Sequence, residues 1–146
     1  MCQHHKELWQ YLFLSLKDVV KLLLAEDLEL ANLISEEVNS RNNERKDIDA
    51  SITQEAIEMI ESMSDHSSSK TTVLYKEDWH KGVVGITASR CIEHFYRPTI
   101  ILTESNGKAA GSARSVKGFN IYDAISSCSD LLTQFGGHDF AAGMTL

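Results

Sequence analysis

The feature that most constrains the fold is a long stretch without glycine or proline, residues 27–62. Its apolar residues recur at steps of three, four or seven, the spacing of one face of an α-helix. The stripe consists of Leu30, Ile34, Val38, Arg41, Arg45, Ile48, Ile52, Met59 and Met63, and the opposite face is rich in glutamate and aspartate. This pattern predicts a long amphipathic helix over residues 27–63, lying on a core or bridging two domains. Arg41 and Arg45 interrupt the stripe, which disfavours a self-standing coiled coil, and we expect both to be solvated or ion-paired.

The segments on either side of this helix differ sharply in character. Residues 1–26 are apolar and predicted to be helical, but lysine and aspartate interrupt the apolar run well short of the ~20 residues that a membrane helix needs. No small-residue cleavage pattern follows that run, which disfavours a signal peptide. An exposed apolar helix would favour homo-oligomer formation. Residues 64–71 are polar and serine-rich, which indicates a linker.

Residues 72–146 alternate between strand and helix patterns. We predict strands at 72–76, 99–103, 108–116 and 141–146, a turn at 105–107, and helices at 83–96 and 121–135. The buried face of the second of these helices is predicted to comprise Ile121, Ala124, Ile125, Leu131 and Leu132, with Gly136 and Gly137 ending it. The fold class is therefore α/β (α+β): a small mixed sheet with flanking helices, preceded by a long connector helix.

Charge and cysteine content narrow the class of protein. The net charge of −7 comes entirely from the first part of the chain, which has 7 basic and 14 acidic residues up to Lys70, whereas 7 of each follow. A general basic footprint for nucleic acid is absent, although a few arginines can still make a local site. The three cysteines, Cys2, Cys91 and Cys128, are scattered and odd in number, which favours a reduced, cytoplasmic protein.

The junction at residues 79–90 has the composition of a phosphate site. It follows a strand-like run and opens a helix, and glycines at 82 and 85 let the backbone approach a ligand. The first helical amides, including those of Gly82, Val83 and Gly85, lack internal partners, and the helix dipole favours an anion there. His80, Ser89 and Arg90 add side-chain donors. Glycine loops before helices also occur for structural reasons alone, and Arg90 could instead pair with an acid.

Two further groups of residues carry candidate chemistry. In residues 111–115, Arg114 offers a planar fork suited to phosphate, beside the hydroxyl of Ser112; a surface arginine on an edge strand explains this pattern equally well. His138 follows Gly136 and Gly137 at a predicted helix–strand junction, where it could bind phosphate or act as an acid or base. A helix C-cap accounts for the two glycines without any function. No second ligand stands at metal-binding spacing from His138.

Considered together, these groups resemble the DHHA1 domain of the DHH phosphoesterase superfamily. The specific similarity is to RecJ-type exonucleases, which degrade single-stranded DNA from the 5′ end. It is carried by residues 79–86 (WHKGVVGI), 111–115 (GSARS) and 128–138 (CSDLLTQFGGH). The resemblance extends over about residues 17–146, and the long helix is similar to the interdomain connector of that family.

The resemblance implies that this chain is one part of a larger enzyme. The family holds manganese or magnesium in a separate DHH domain, and no Asp-His-His triplet occurs in this sequence; His4 and His5 lack the aspartate. We therefore expect no metal site in this chain, no activity from it alone, and the missing DHH domain as a partner. No membrane interaction is expected.

The resemblance also assigns roles to residues. Arg114 and Ser112 would bind one backbone phosphate of single-stranded DNA, His80 and the amides of residues 82–85 another, and His138 would face the scissile bond as a catalytic residue. Two alternatives stay open: a DHHA1 module for a small phosphodiester such as a cyclic dinucleotide or short oligonucleotide, or a self-association module with a vestigial site.

Overall fold

The computed structural model describes residues 16–64 and 67–146. The described residues divide into two compact units, with the division between Ile48 and Asp49. Most of the predicted N-terminal segment, and residues 65–66 of the predicted linker, lie outside the described residues. None of the helices formed by the described residues is long and apolar enough to cross a membrane.

Two helices open the described chain, α1 (Leu16–Leu23) and α2 (Leu28–Ser62). The second confirms the long helix predicted from the absence of glycine and proline. Asp27 precedes it and accepts the backbone N–H of Glu29 at 3.0 Å, which satisfies one of the donors left unpaired at a helix start. In the first unit Arg41 forms ion pairs with Glu37 and Asp18. The expectation that this arginine is ion-paired is therefore confirmed.

The predicted apolar stripe of α2 is only partly buried. In the first unit, Leu30 is 49% exposed, and Leu23, Leu24, Leu28 and Leu33 are more exposed still. In the second unit the buried face consists of Asp49, Ile52, Thr53, Ala56 and Ile60. An α-helix turns about 100° per residue, so these residues define a face that is rotated away from the predicted stripe. Ala56 and Ile60 are buried there, whereas the predicted Met59 and Met63 are not.

A five-stranded mixed sheet forms the body of the second unit. Its elements are β1 (Thr72–Tyr75), α3 (Val84–Phe95), β2 (Thr99–Ser105), β3 (Lys108–Arg114), α4 (Ile121–Ser126), a 3₁₀ turn (Ser129–Leu131), β4 (Gln134–His138) and β5 (Ala141–Thr145). The strand order is β1-β2-β3-β5-β4, with β1 and β2 parallel and the other neighbours antiparallel. The predicted fold class, a mixed sheet with flanking helices, is confirmed.

The helices cover opposite faces of this sheet. Helix α3 packs over β2 and β3, and its buried residues include Val84, Thr87, Ala88 and Cys91. Helix α4 packs on the other face, where Ile121 and Ile125 join Ala113, Ala142 and Met144 in one apolar cluster. The sheet face on which α3 packs continues sideways from β3 onto β5 and then β4.

The helix predicted at 121–135 is wrong in its second half. Helix α4 ends at Ser126, Leu131 is 68% exposed, and β4 begins at Gln134. Gly136 and Gly137 lie within β4 rather than capping a helix, and His138 ends that strand at a hairpin. Pairing with β5 satisfies the backbone of this segment, and Phe135 packs against the apolar cluster. A tertiary partner therefore overrides the local helical spacing.

Candidate functional site

The loop before α3 is held by His80. This residue is buried, its Nδ1 accepts the Gly82 amide at 3.1 Å, and its carbonyl accepts the amides of Val83 and Val84. The amides of Gly82 and Val83, which we predicted to bind an anion, are thus already occupied. The side chain of Val83 is also fully buried. Among the described residues, the Gly85 amide is the one in the predicted cradle for which no acceptor is found.

Gly85 lies against Arg114 and Ser112. A Cβ atom at this position would stand 2.8 Å from Nη2 of Arg114 and 3.2 Å from Oγ of Ser112. Within the described part of the chain, no acceptor bonds the Gly85 amide. Glycine therefore lets a guanidinium approach the start of α3, where an unpaired amide and the positive end of the helix dipole also lie.

Arg114 is fixed by bonds within its own strand. Its Nη1 donates to Oγ of Ser112 at 2.5 Å and to the carbonyl of Ala113 at 2.8 Å. Ser112 in turn donates to the carbonyl of Ala142 at 3.4 Å. Burial lowers the pKa of Arg114, but an arginine side chain remains protonated in proteins. The result is a partly desolvated, oriented cation.

The register of three strands places His138 on the same face as Arg114. The two aligned rows are Arg114–Ala141–His138 and Ser112–Gly143–Gly136. Directly opposed residues share a face of a sheet, and strands lie about 4.8 Å apart. The Cα atoms of Arg114 and His138 are therefore roughly 10 Å apart. The methyl group of Ala141 lies between them, and Gly143 and Gly136 lie beside it in the second row. We call the surface formed by the residues of these two rows the shelf.

The imidazole of His138 is presented by a fixed hairpin. Its Nδ1 accepts the amide of Phe140 at 3.3 Å, so in the neutral ring Nε2 carries the proton and can donate. Backbone bonds from Ser115 to Phe140 and from Ile121 to Asp139 hold the hairpin tip. The side chain of His138 is thus exposed while its backbone is anchored.

Three other predicted site residues lie outside the shelf. Arg90 donates through Nε and Nη2 to one carboxylate oxygen of Asp49, at 3.1 and 2.9 Å. The side chain of Asp49 is 5% exposed, so the alternative of pairing with an acid accounts for Arg90. The hydroxyl of Ser89 donates to the carbonyl of Gly85. Gly137 pairs with Ala142 and belongs to the opposite face.

Sequence reasoning missed two residues of the shelf, Ala141 and Gly143. A glycine inside the last predicted strand was the available signal, because glycine in a strand often marks close backbone approach. An apolar groove of about 300 Å³ lies on the other face of the sheet, beside α4. Its lining is mostly apolar and contains no charged side chain.

Residues 68–146 match the model of the DHHA1 domain family. This chain belongs to the DHHA1 family. It is 45% identical over 129 residues to the single-stranded-DNA-specific exonuclease RecJ of Bacillus subtilis, covering 87% of this chain and 16% of that protein. The RecJ of Salmonella typhimurium is 38% identical over 136 residues, covering 87% and 23%. The chain thus spans roughly a fifth of the length of these DHHA1 relatives.

Solved structures of DHHA1 relatives share the fold of this chain. RecJ from Thermus thermophilus in complex with Mg²⁺ matches with a TM-score of 0.79 at 28% identity, covering 89% of this chain and 20% of that chain. An exonuclease RecJ bound to manganese matches with a TM-score of 0.75, also at 28% identity, covering 89% and 31%. Among residues 16–64 and 67–146, no three His, Cys, Asp or Glu side chains are grouped so as to hold such a metal. The described part of this DHHA1 domain does not fit a metal centre.

The burial of His80 makes stability dependent on pH. Burial lowers the pKa of this residue below its usual 6.5. As the pH falls through 6.5, the unfolded chain takes up a proton on this histidine before the folded chain does, so stability must decrease. We expect the urea midpoint to drop between about pH 7.5 and about pH 5.5, and His80→Gln to flatten that dependence. His94→Gln, at an exposed histidine, should retain the wild-type dependence; equal slopes for all three proteins would contradict the assignment.

Proposed function

We propose that this chain is the substrate-binding part of a RecJ-like single-stranded-DNA exonuclease. The observation that carries this proposal is the convergence of Gly85, Ser112 and Arg114 at one point, on a sheet face that also presents His138. Family membership supplies the class of substrate, because the relatives are named as single-stranded-DNA-specific exonucleases.

The donors at this point suit a backbone phosphate. Arg114 provides oriented N–H groups and Gly85 an amide at a helix start, and both suit one phosphate group. Ser112 contributes by accepting from Arg114 and so orienting the guanidinium. The flat shelf of Ala141 and Gly143 leaves room for the adjoining sugar. His80 acts indirectly by holding the loop, instead of contacting a second phosphate.

His138 stands at the far end of the shelf and completes the site. Its Nε2 can donate a hydrogen bond to the phosphodiester next to the one that Arg114 binds. We propose that this is the group to be cleaved, and that a metal-bearing DHH domain elsewhere in the full-length enzyme faces it. Mg²⁺ or Mn²⁺ would there supply hydrolytic chemistry, while the residues of this chain hold and orient the strand.

Fluorescence anisotropy with labelled deoxythymidine oligonucleotides tests the proposal. Affinity should rise with strand length, because a strand that tracks the shelf meets more contacts. The logarithm of the binding constant should fall linearly with the logarithm of salt concentration, by about 0.7 per phosphate contacted. Absence of binding at about 50 mM salt would contradict the proposal.

The same experiment distinguishes the smaller substrates. Affinity that stops rising beyond two or three nucleotides, with equal binding of a cyclic dinucleotide, would favour a DHHA1 module for a small phosphodiester. Length-dependent binding that a cyclic dinucleotide cannot displace would favour the exonuclease.

A further inference from the structure

One glutamate on α2 forms hydrogen bonds to the loop that precedes α3. Glu55 directs one carboxylate oxygen to Nζ of Lys76 and the other to Nε1 of Trp79, the latter at 2.7 Å. These two partners stand at the start and near the end of the segment that joins β1 to His80. A single carboxylate thereby fixes the segment at two points.

Trp79 connects Glu55 to the residues of the candidate site. Its side chain is only 4% exposed, and its carbonyl accepts a bond from the buried hydroxyl of Thr103 at 2.6 Å. The next residue is His80, whose ring and carbonyl hold the amides of Gly82, Val83 and Val84. Gly85 follows at once and contacts Arg114. The chain of contacts from Glu55 to the phosphate-binding point is thus continuous.

We infer that Glu55 is a positioning residue for the phosphate-binding point, acting through the indole N–H of Trp79. The inference rests on the proposed function, since it concerns the same site. The indole N–H of Trp79 takes part in a part-buried bond; when it loses this acceptor it turns toward another acceptor or water, because an unsatisfied donor is costly. Movement of Trp79 would carry His80 and Gly85 away from Arg114.

The charge state of Glu55 agrees with this role. Hydrogen bonds from Lys76 and from Trp79 hold the pKa of Glu55 below its usual value. The group is therefore an ionised acceptor at neutral pH, and bonds to ionised acceptors are shorter and stronger than neutral ones.

The test compares Glu55→Ala and Glu55→Gln in the complete chain. Glu55→Ala should weaken binding of a labelled deoxythymidine oligonucleotide roughly tenfold, and shift the NMR amide resonances of Gly82 and Gly85 as well as the indole resonance of Trp79. Glu55→Gln keeps an acceptor for the indole and should restore affinity to within about twofold. Trp79→Phe, which removes the donor together with part of the ring, should reproduce the glycine shifts even if Glu55→Ala fails to fold. Glu58→Ala is the matched control, because that exposed glutamate accepts only from Gln54 among the described residues.

Several results would overturn the inference. Unshifted Gly82 and Gly85 resonances in Glu55→Ala would show that the loop does not depend on Glu55. Shifted resonances with unchanged affinity would show that the loop position is irrelevant to binding. Loss of affinity in Glu55→Gln equal to that in Glu55→Ala would assign the effect to the Lys76 ion pair. If the unsubstituted chain binds no oligonucleotide, the proposed function fails, and the resonances alone decide whether Glu55 positions the loop.

Discussion

Replacing Arg114 with alanine is expected to weaken binding of single-stranded DNA by roughly 10- to 100-fold at low salt. The guanidinium is partly buried and already oriented by Ser112 and Ala113, so little conformational freedom remains to be lost when phosphate binds. The loss should shrink as salt rises, and the salt dependence should decrease by about 0.7, the contribution of one contact to a single strand. Anisotropy titrations across a salt series measure both quantities.

Lys108→Ala is the matched control for this prediction. Lys108 lies at the other end of β3, six residues from Arg114 and about 20 Å away along the strand. The Lys108→Ala substitution removes the same unit of charge from the same strand without altering the shelf, so it should change affinity far less. Arg114→Lys separates charge from geometry, because lysine keeps the charge but cannot form the planar fork. If Lys108→Ala and Arg114→Ala weakened binding equally, only the overall charge would matter and the site would be wrongly placed.

Gly137→Ala is expected to destabilise the fold by about 3 kcal/mol or more, whereas Gly136→Ala should change stability by less than about 1 kcal/mol. A Cβ atom on Gly137 would stand 2.2 Å from the carbonyl oxygen of Ala141, and its φ of +155° is unfavourable for other residues. A Cβ atom on Gly136 meets nothing within 4 Å. Because the two glycines are neighbours on one strand, each serves as the control for the other.

Urea unfolding of both variants measures this difference. A helix C-cap, our prediction from the sequence, would place the glycine requirement at a helix end and would not involve β5. In the structure the requirement for glycine arises instead because β4 pairs with the backbone of β5. Equal destabilisation by both substitutions would contradict the observed register.

The long helix and the β2–β3 hairpin could be predicted because their signals are local. Absence of glycine and proline over residues 27–62 allows one continuous helix, and Asn106 and Gly107 both adopt the positive φ that a two-residue hairpin turn needs. The region 121–138 could not be predicted in the same way. Its apolar spacing suits a helix, but the energy that decides its structure comes from pairing with β5, which no local pattern reports.

The geometry of the site could be predicted only in part. Residue type together with the resemblance to the DHHA1 domain predicts Arg114, Ser112 and His138 as site residues, and this stays a prediction that the binding experiment tests. The amides of Gly82 and Val83 are occupied through local bonds to His80, whereas the pairing of Arg90 with Asp49 across 41 positions depends on a tertiary contact. The same is true of the Glu55–Trp79 bond, which spans 24 positions.

The shelf is assembled from β3, β5 and β4, and the start of α3 lies against it, so it combines segments that are far apart in the sequence. An unfolded chain cannot bring these contacts together, so a ligand of the shelf binds the native state alone. By mass action such a ligand raises the melting temperature in proportion to the logarithm of its concentration once it exceeds the dissociation constant. Occupancy and folding are thus thermodynamically linked, and a thermal shift can report binding by compounds that carry no label.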